Sequence, residues 1–147
     1  MSTLEELLRH VNLFHGLNDE QIKQIARITQ RETYARREVI FDQHAAGDKV
    51  YVVGDGTVEV RIGDADGAVH SALNLGKGQV FGEMALLDRG PRSASVLAAQ
   101  DDTVIYAIKD TDFRALCESN TDLGYIIMRN IAIELSLKMR HQNFISG

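Results

Sequence analysis

Residues 81–96, Phe-Gly-Glu-Met-Ala-Leu-Leu-Asp-Arg-Gly-Pro-Arg-Ser-Ala-Ser-Val, set Glu83 and Arg92 among glycines and small side chains. Gly82 lets the backbone turn sharply or lie close to a ligand. Glu83 to Leu87 fits one short helical turn, whose amino end offers free N–H groups and is a ready anion site. A plain phosphate site would not place a carboxylate there, so a second kind of ligand group is implied. Pro91, the chain's one proline, stiffens the approach to Arg92. Ser93, Ala94 and Ser95 are small enough for close packing. A carboxylate accepts hydrogen bonds from sugar hydroxyls, and a guanidinium pairs with two phosphate oxygens at once. A compact ring bearing a hydroxyl and a phosphate satisfies both. Spacing alone equally permits an internal Glu83–Arg92 salt bridge within a strand-to-strand loop.

Three zones position this stretch. In the first, Leu4, Leu7, Leu8 and Val11 recur at helical spacing. Beyond Gly16, Asn18 caps a second helix with Gln21 at the third position of a capping box, and Ile22, Ile25 and Ile28 give it an apolar face ending near Gln30. The middle zone, about residues 33–108, is built of strands. Val39–Phe41, Val50–Val53, Val58/Val60/Ile62 and Val104–Tyr106 are short and β-branched or aromatic. The turns between them are Gly54-Asp55-Gly56, the run Gly63 to Gly67, and Gly76-Lys77-Gly78. Many short strands at close spacing indicate a sandwich, barrel or jelly roll. In the third zone Asp110 or Thr111 caps a short helix through Leu116, and a longer one runs from near Asp122 to about Phe144. This long helix carries two apolar stripes, Ile126/Ile133/Leu137/Phe144 and Ile127/Ile131/Leu135/Met139, with Asn130, Glu134, Lys138 and His141 between them. A surface helix needs one stripe. The second calls for a partner subunit, a moving part of the same domain, or a wide core contact.

The fold class is therefore α+β: N-terminal helices over residues 1–31, a β-roll (a jelly-roll-like, double-stranded sheet) over 32–109, and C-terminal helices over 110–147, all in one domain. Composition narrows the function. Hydrophobic residues at 44% and charged residues at 25% suit a globular protein, and no apolar run approaches the ~20 residues of a membrane span. The net charge of −5 and the lack of a basic stripe argue against direct nucleic-acid binding; Arg36-Arg37 and Lys138/Arg140 are short solvated spots. The single Cys117 fits a reducing, cytoplasmic setting and a buried place on a helix. Five histidines without paired spacing offer no metal set, and Asp64-x-Asp66-Gly67 is a hairpin turn sooner than a calcium loop. No nucleophile–base arrangement emerges, so no catalytic residues, metal or cofactor are expected.

The 81–96 stretch closely resembles the phosphate-binding cassette of the cyclic-nucleotide-binding domain family: Phe-Gly-Glu-x-Ala-Leu, a short variable run, then Pro-Arg-Ser/Thr-Ala-Ser/Thr-Val. Gly47-Asp48 with Tyr51 and Gly56 resembles the same family's strand signature, and the flanking helices fall where that family has them. His44 departs from the pattern, standing where many members have glycine. The resemblance implies a regulatory sensor of cAMP or cGMP that is not itself an enzyme. It implies a ligand site of Phe81, Gly82, Glu83, Met84, Ala85, Arg92, Ser93 and Ala94. In it Arg92 would pair with the phosphate, Glu83 would accept the ribose 2′-hydroxyl, the Gly82 and Ala85 backbone would line the ribose-phosphate, and Ser93 would add its N–H and hydroxyl to the phosphate. Ser93 is compatible with cGMP, with a lean to cAMP. Its implied mechanism is movement of the long C-terminal helix over the ligand, with a protein partner or a twin subunit engaged through that helix. The alternatives are an interaction module of the same fold that leaves the pocket unused, and the sensor piece of a larger transcription factor, channel or kinase.

Overall fold

Strand alternation explains how one sheet serves two cores. The computed structural model describes residues 3–146, and their side chains except for Ala72 and 142–146. The N-terminal region forms α1 (Thr3–Arg9), a 3-10 turn (Asn12–Phe14) and α2 (Asp19–Arg27). Eight strands follow: β1 (Thr29–Tyr34), β2 (Val39–Phe41), β3 (Lys49–Asp55), β4 (Val58–Gly63), β5 (Val69–Leu75), β6 (Val80–Phe81), β7 (Ser95–Ala98) and β8 (Thr103–Lys109). A 3-10 turn (Glu83–Leu86) lies between β6 and β7, and α3 (Asp110–Ser119) and α4 (Thr121–Ser146) close the chain. The β-roll forms as the sequence indicates, its two sheets each of four antiparallel strands, ordered β1-β8-β3-β6 and β2-β7-β4-β5. Within β3, Tyr51 and Val53 point into the roll with Val58, Phe81, Val96, Ile105 and Ala107. Their neighbours Val50 and Val52 point the other way, onto a second core of Phe14, Ile22, Ile25, Phe113, Leu123 and Ile127 from the helices. Both faces of β3 are covered, which is why its sequence is continuously apolar.

The capping box at Asn18 forms as the sequence indicates: the Gln21 N–H donates to Asn18 Oδ1, and the Asn18 N–H donates to Gln21 Oε1, each at 2.9 Å. Several boundaries shift. The second helix stops at Arg27 rather than Gln30, because β1 already pairs from Thr29 with Ile108 of β8. The strand zone accordingly runs from Thr29 to Lys109. Neither Asp110 nor Thr111 caps α3. The cap position is Lys109, without a side-chain bond, the helix continues to Ser119, and the Asp110 carboxylate is buried in ion pairs instead. The long helix starts at Thr121, where the Asn120 side chain accepts the Leu123 N–H.

On α4 the two predicted stripes divide by depth. Ile127 and Ile131 are buried and Leu135 packs against the helix-side core, whereas Met139 is 62% exposed. Ile133 and Leu137 of the other stripe are 46% and 60% exposed, and the Phe144 side chain lies outside the described residues. Asn130 pins the helix by donating to the Leu13 and His15 carbonyls. Among the described residues no helix is long and apolar enough to cross a membrane. Asp64 Oδ1 accepts the Asp66 and Ala68 N–H groups, a turn within the β4–β5 hairpin.

Candidate functional site

Arg92 is the centre of the site, and its setting is built by three elements. At the end of β6, Phe81 pairs with Tyr51 of β3 and stacks on its ring, with centroids 4.9 Å apart and planes 10° from parallel. Phe41 of β2 joins them, and the Arg92 guanidinium carbon lies 4.2 Å above its ring centroid. Gly82 then takes φ +77, and a Cβ there would sit 2.7 Å from Arg92 Nη1, so a side chain would both strain the backbone and push the guanidinium aside. The loop beyond the 3-10 turn is fastened to the β2–β3 connection. The Arg92 N–H donates to the Ala45 carbonyl, the His44 N–H donates to the Arg92 carbonyl, and Ala46 and Pro91 form a bridge.

Arg92 is 7% exposed, and its guanidinium is seated on carbonyls: Nη1 donates to Gly82 O at 3.2 Å and Nη2 to Lys49 O at 2.8 Å. Among the described residues no carboxylate pairs with it, and its buried Nε has no hydrogen-bond partner. The internal Glu83–Arg92 salt bridge that spacing allowed is therefore not formed. A buried cation facing carbonyls and rings needs an anion from elsewhere. These two bonds do not exhaust the five N–H groups of the planar guanidinium.

Glu83 opens the 3-10 turn with its side chain only 12% exposed. Burial pushes its carboxyl above the usual range, and the nearby Glu134 adds to this. Its own backbone N–H and the charges of Lys138 and Arg92 pull the other way. Its ion-pair partner is Lys138 of α4, whose Nζ is 3.8 Å from Oε1 and 3.0 Å from Glu134 Oε1. Burial opposes the Lys138 charge, but the Glu134 hydrogen bond and the two carboxylates outweigh it and raise its pKa. Lys138, taken from sequence as part of a solvated basic spot, is instead part of the site's wall. Tyr51 sits beneath Arg92, and burial pushes its hydroxyl up to about 12 against the pull of that cation.

Every residue assigned from sequence lines one cavity of about 1630 Å³: Phe81, Gly82, Glu83, Met84, Ala85, Arg92, Ser93 and Ala94. They differ in what they expose. Phe81 and Ala94 are largely buried, Met84 is 46% exposed, and Ser93 sits at the mouth. The same cavity is walled by apolar side chains of the second sheet, Val60, Leu73 and Leu75, and by Ile133, Leu137 and Lys138 of α4. Sequence reasoning missed the sheet wall and the Phe41 platform, which no local motif marks. The α4 contribution was signalled by the helix's second stripe.

The arrangement matches known proteins. The family described as "Cyclic nucleotide-binding domain" matches residues 31–120, more than half of the chain. The cyclic AMP receptor protein of Thermus thermophilus is 34% identical over 128 residues, covering 87% of this chain and 57% of that protein. The cAMP-dependent protein kinase type II regulatory subunit of Drosophila melanogaster is 40% identical over 94 residues, 64% of this chain and 25% of its own length. The crystal structure of the Thermus thermophilus catabolite activator protein superposes with a TM-score of 0.80 at 33% identity, over 90% of this chain and 60% of that one. The N-terminal domain of a Streptomyces coelicolor transcriptional regulator superposes at 0.82 with 26% identity, over 92% and 94%. The chain thus spans between a quarter and somewhat over half of these two curated relatives.

Proposed function

The chain belongs to the cyclic nucleotide-binding domain family, and from that premise we propose that it is a regulatory sensor whose ligand is cAMP, held on the cassette and covered by α4. The observation that carries this reading is Arg92: a buried arginine with no carboxylate partner among the described residues, on the wall of an open cavity. In this reading its guanidinium takes the cyclic phosphate as a fork takes two oxygens. Glu83 accepts the ribose 2′-hydroxyl, the Gly82 and Ala85 backbone lines the ribose-phosphate, Ser93 adds its N–H and hydroxyl, and Phe81, Met84 and Ala94 complete the wall. The apolar side chains Val60, Leu73 and Leu75 face the base.

The preference for cAMP rests on the relatives named for it, since Ser93 also suits cGMP. Regulation follows from α4. Ile133 and Leu137 are exposed yet belong to the cavity wall, so a bound base gives them an apolar surface to cover. Ligand shifts the helix only by the extent to which it binds the covered state more tightly. Met139, outward on the same helix, would then meet a protein partner or a second copy. The role is that of a switch in a larger assembly rather than of a catalyst, and it fits a cytoplasmic setting.

Calorimetric titration with cAMP and cGMP tests this directly. Micromolar or tighter binding of cAMP, with cGMP weaker, is the expected result. No heat from either ligand, in folded protein stripped of co-purified nucleotide, would turn the reading to an interaction module with an unused pocket.

A further inference from the structure

The cassette is tied to the C-terminal helices by a polar cluster that takes no part in the ligand chemistry above. Asp110, the first residue of α3, has a side chain only 4% exposed, and it receives two cations. Arg89, from the far end of the cassette loop, donates through Nε to Asp110 Oδ2. Arg114, one turn along α3, places its Nε 3.6 Å from the same oxygen. The rest of the Arg114 fork reaches back: Nη2 donates to the Ala85 carbonyl at 2.8 Å. The Asp110 N–H donates to the Asp48 carbonyl at 3.0 Å, and the next carbonyl along, that of Lys49, is the one that seats Arg92. The first residues of α3 thus hold the cassette at three points: the Asp110 carboxylate takes Arg89, Arg114 takes the Ala85 carbonyl, and the Asp110 N–H takes the carbonyl of Asp48, just before the strand under Arg92.

Arg89 holds φ +55, a left-handed conformation costly for a residue with a Cβ and sustained only by the contacts around it. The Asp110 carboxylate is too deep for water to replace a lost partner, so its two arginines and its helix move together. From α3 the link continues by packing, with Phe113, Leu86 and Leu123 in one buried cluster.

We infer that Arg89, Asp110 and Arg114 form the joint that carries cassette occupancy to α3 and α4, with Arg114 a positioning residue for the Ala85 backbone. This rests on the nucleotide-sensor reading above. A ligand drawn in by Arg92 and the 82–85 backbone pulls on the Ala85 carbonyl and the Arg89 loop at once, and Asp110 passes that displacement to α3.

The test compares the parent protein with Arg89→Ala and Arg89→Lys, using hydrogen–deuterium exchange of α4 with and without saturating cAMP and calorimetry on the same samples. Arg114 still faces Asp110 when Arg89 is removed, so Arg89→Ala is expected to lower the melting temperature without unfolding the chain, and a melting curve places the exchange and calorimetry below that transition. The expected result for Arg89→Ala is cAMP binding weakened by about three- to tenfold, with the nucleotide-induced change in α4 exchange lost. Arg89→Lys restores that change, because a point charge still reaches Asp110. A fully retained α4 response in Arg89→Ala, or a parent that binds cAMP without any α4 response, overturns the joint alone. A parent that binds neither cAMP nor cGMP overturns the sensor reading and the joint with it.

Discussion

Two cations face the same cavity and are held in opposite ways. Arg92, in the roll, is buried against two carbonyls and the Phe41 ring, with no carboxylate bonded to it among the described residues. Lys138, on α4, is 59% exposed and lies between Glu83 and Glu134. The roll therefore presents positive charge that the protein leaves uncompensated, while the helix presents charge that the protein has already neutralised. The first arrangement is costly unless an anion arrives, which makes it a binding element. The second couples a mostly exposed ammonium to the buried Glu83 across 3.8 Å, too long for a hydrogen bond and easily made and broken, which suits a part that moves.

Removing Arg92 should break the comparison most sharply. A hydrogen bond to a charged group contributes about 1.5–3 kcal/mol, so losing a pair of them in Arg92→Ala predicts a fall in cAMP affinity of about a hundredfold or more. Arg92→Lys should fare nearly as badly, since an ammonium cannot span the Gly82 and Lys49 carbonyls while offering a two-pronged face to phosphate. Calorimetry at constant salt reads both, and cAMP should no longer raise the melting temperature of either variant. Parent-like binding by Arg92→Ala would remove the basis for the proposed site.

Glu83→Gln comes next in size. The amide keeps an acceptor oxygen but loses the charge, so cAMP affinity should drop by about tenfold, the lower end of a charge-assisted bond. The pH dependence sharpens this. Burial raises the folded-state pKa of Glu83 above its ordinary 4.5, so the folded chain holds that proton more tightly than the unfolded chain. Hence the unliganded protein loses stability as pH rises from about 4.5 through the raised value. Gln lacks this penalty. Its melting temperature without ligand should exceed that of the parent at pH 7, and the difference should close toward pH 4. Nucleotide affinity should run in the opposite sense, falling in the parent as acid protonates Glu83 and staying flat in the variant. A parent curve as flat as that of Glu83→Gln would show that the carboxylate charge takes no part in binding.

The two regions also differed in how far their sequences disclosed them. The cassette is local: Gly82, Glu83, Pro91 and Arg92 lie within eleven positions, and each owes its role to backbone geometry or charge that residue type alone declares. All eight assigned residues came together at one cavity for that reason. The strand zone was legible as a roll because its turns are glycine-rich and its strands β-branched. Its eightfold count was less so, since β1 (Thr-Gln-Arg-Glu-Thr-Tyr) and β5 (Val-His-Ser-Ala-Leu-Asn-Leu) carry polar side chains and are strands by virtue of their partners. What lay hidden was long-range. Nothing near Phe41 or Leu73 indicates that they share a wall with residues 81–94, and Asp110 resembled a helix cap until two arginines from other turns were found on it. His44 shows the middle case. The departure from glycine was visible, but only its φ of +74 reveals that this is a left-handed position, one that histidine fills at some strain.

Lys138→Ala tests the helix side of the comparison and should have the smallest effect. The Lys138–Glu83 separation of 3.8 Å is too long for a hydrogen bond, so the carboxylate still has lone pairs to offer a ribose hydroxyl. Deleting this mostly exposed ammonium removes a long contact worth about 0–1 kcal/mol, and cAMP affinity should change by less than about fivefold. Its signature lies elsewhere. Without Lys138 the Glu83 charge loses one of the two cations that hold its pKa down, so the acid limb of the affinity profile should move to higher pH. The dependence of that profile on ionic strength should also weaken, because the most exposed partner has gone. Calorimetric titrations from pH 5 to 8 at two salt concentrations measure both. A loss as deep as that of Arg92→Ala would mean that the helix cation binds ligand directly, and the contrast between the two cations would be gone.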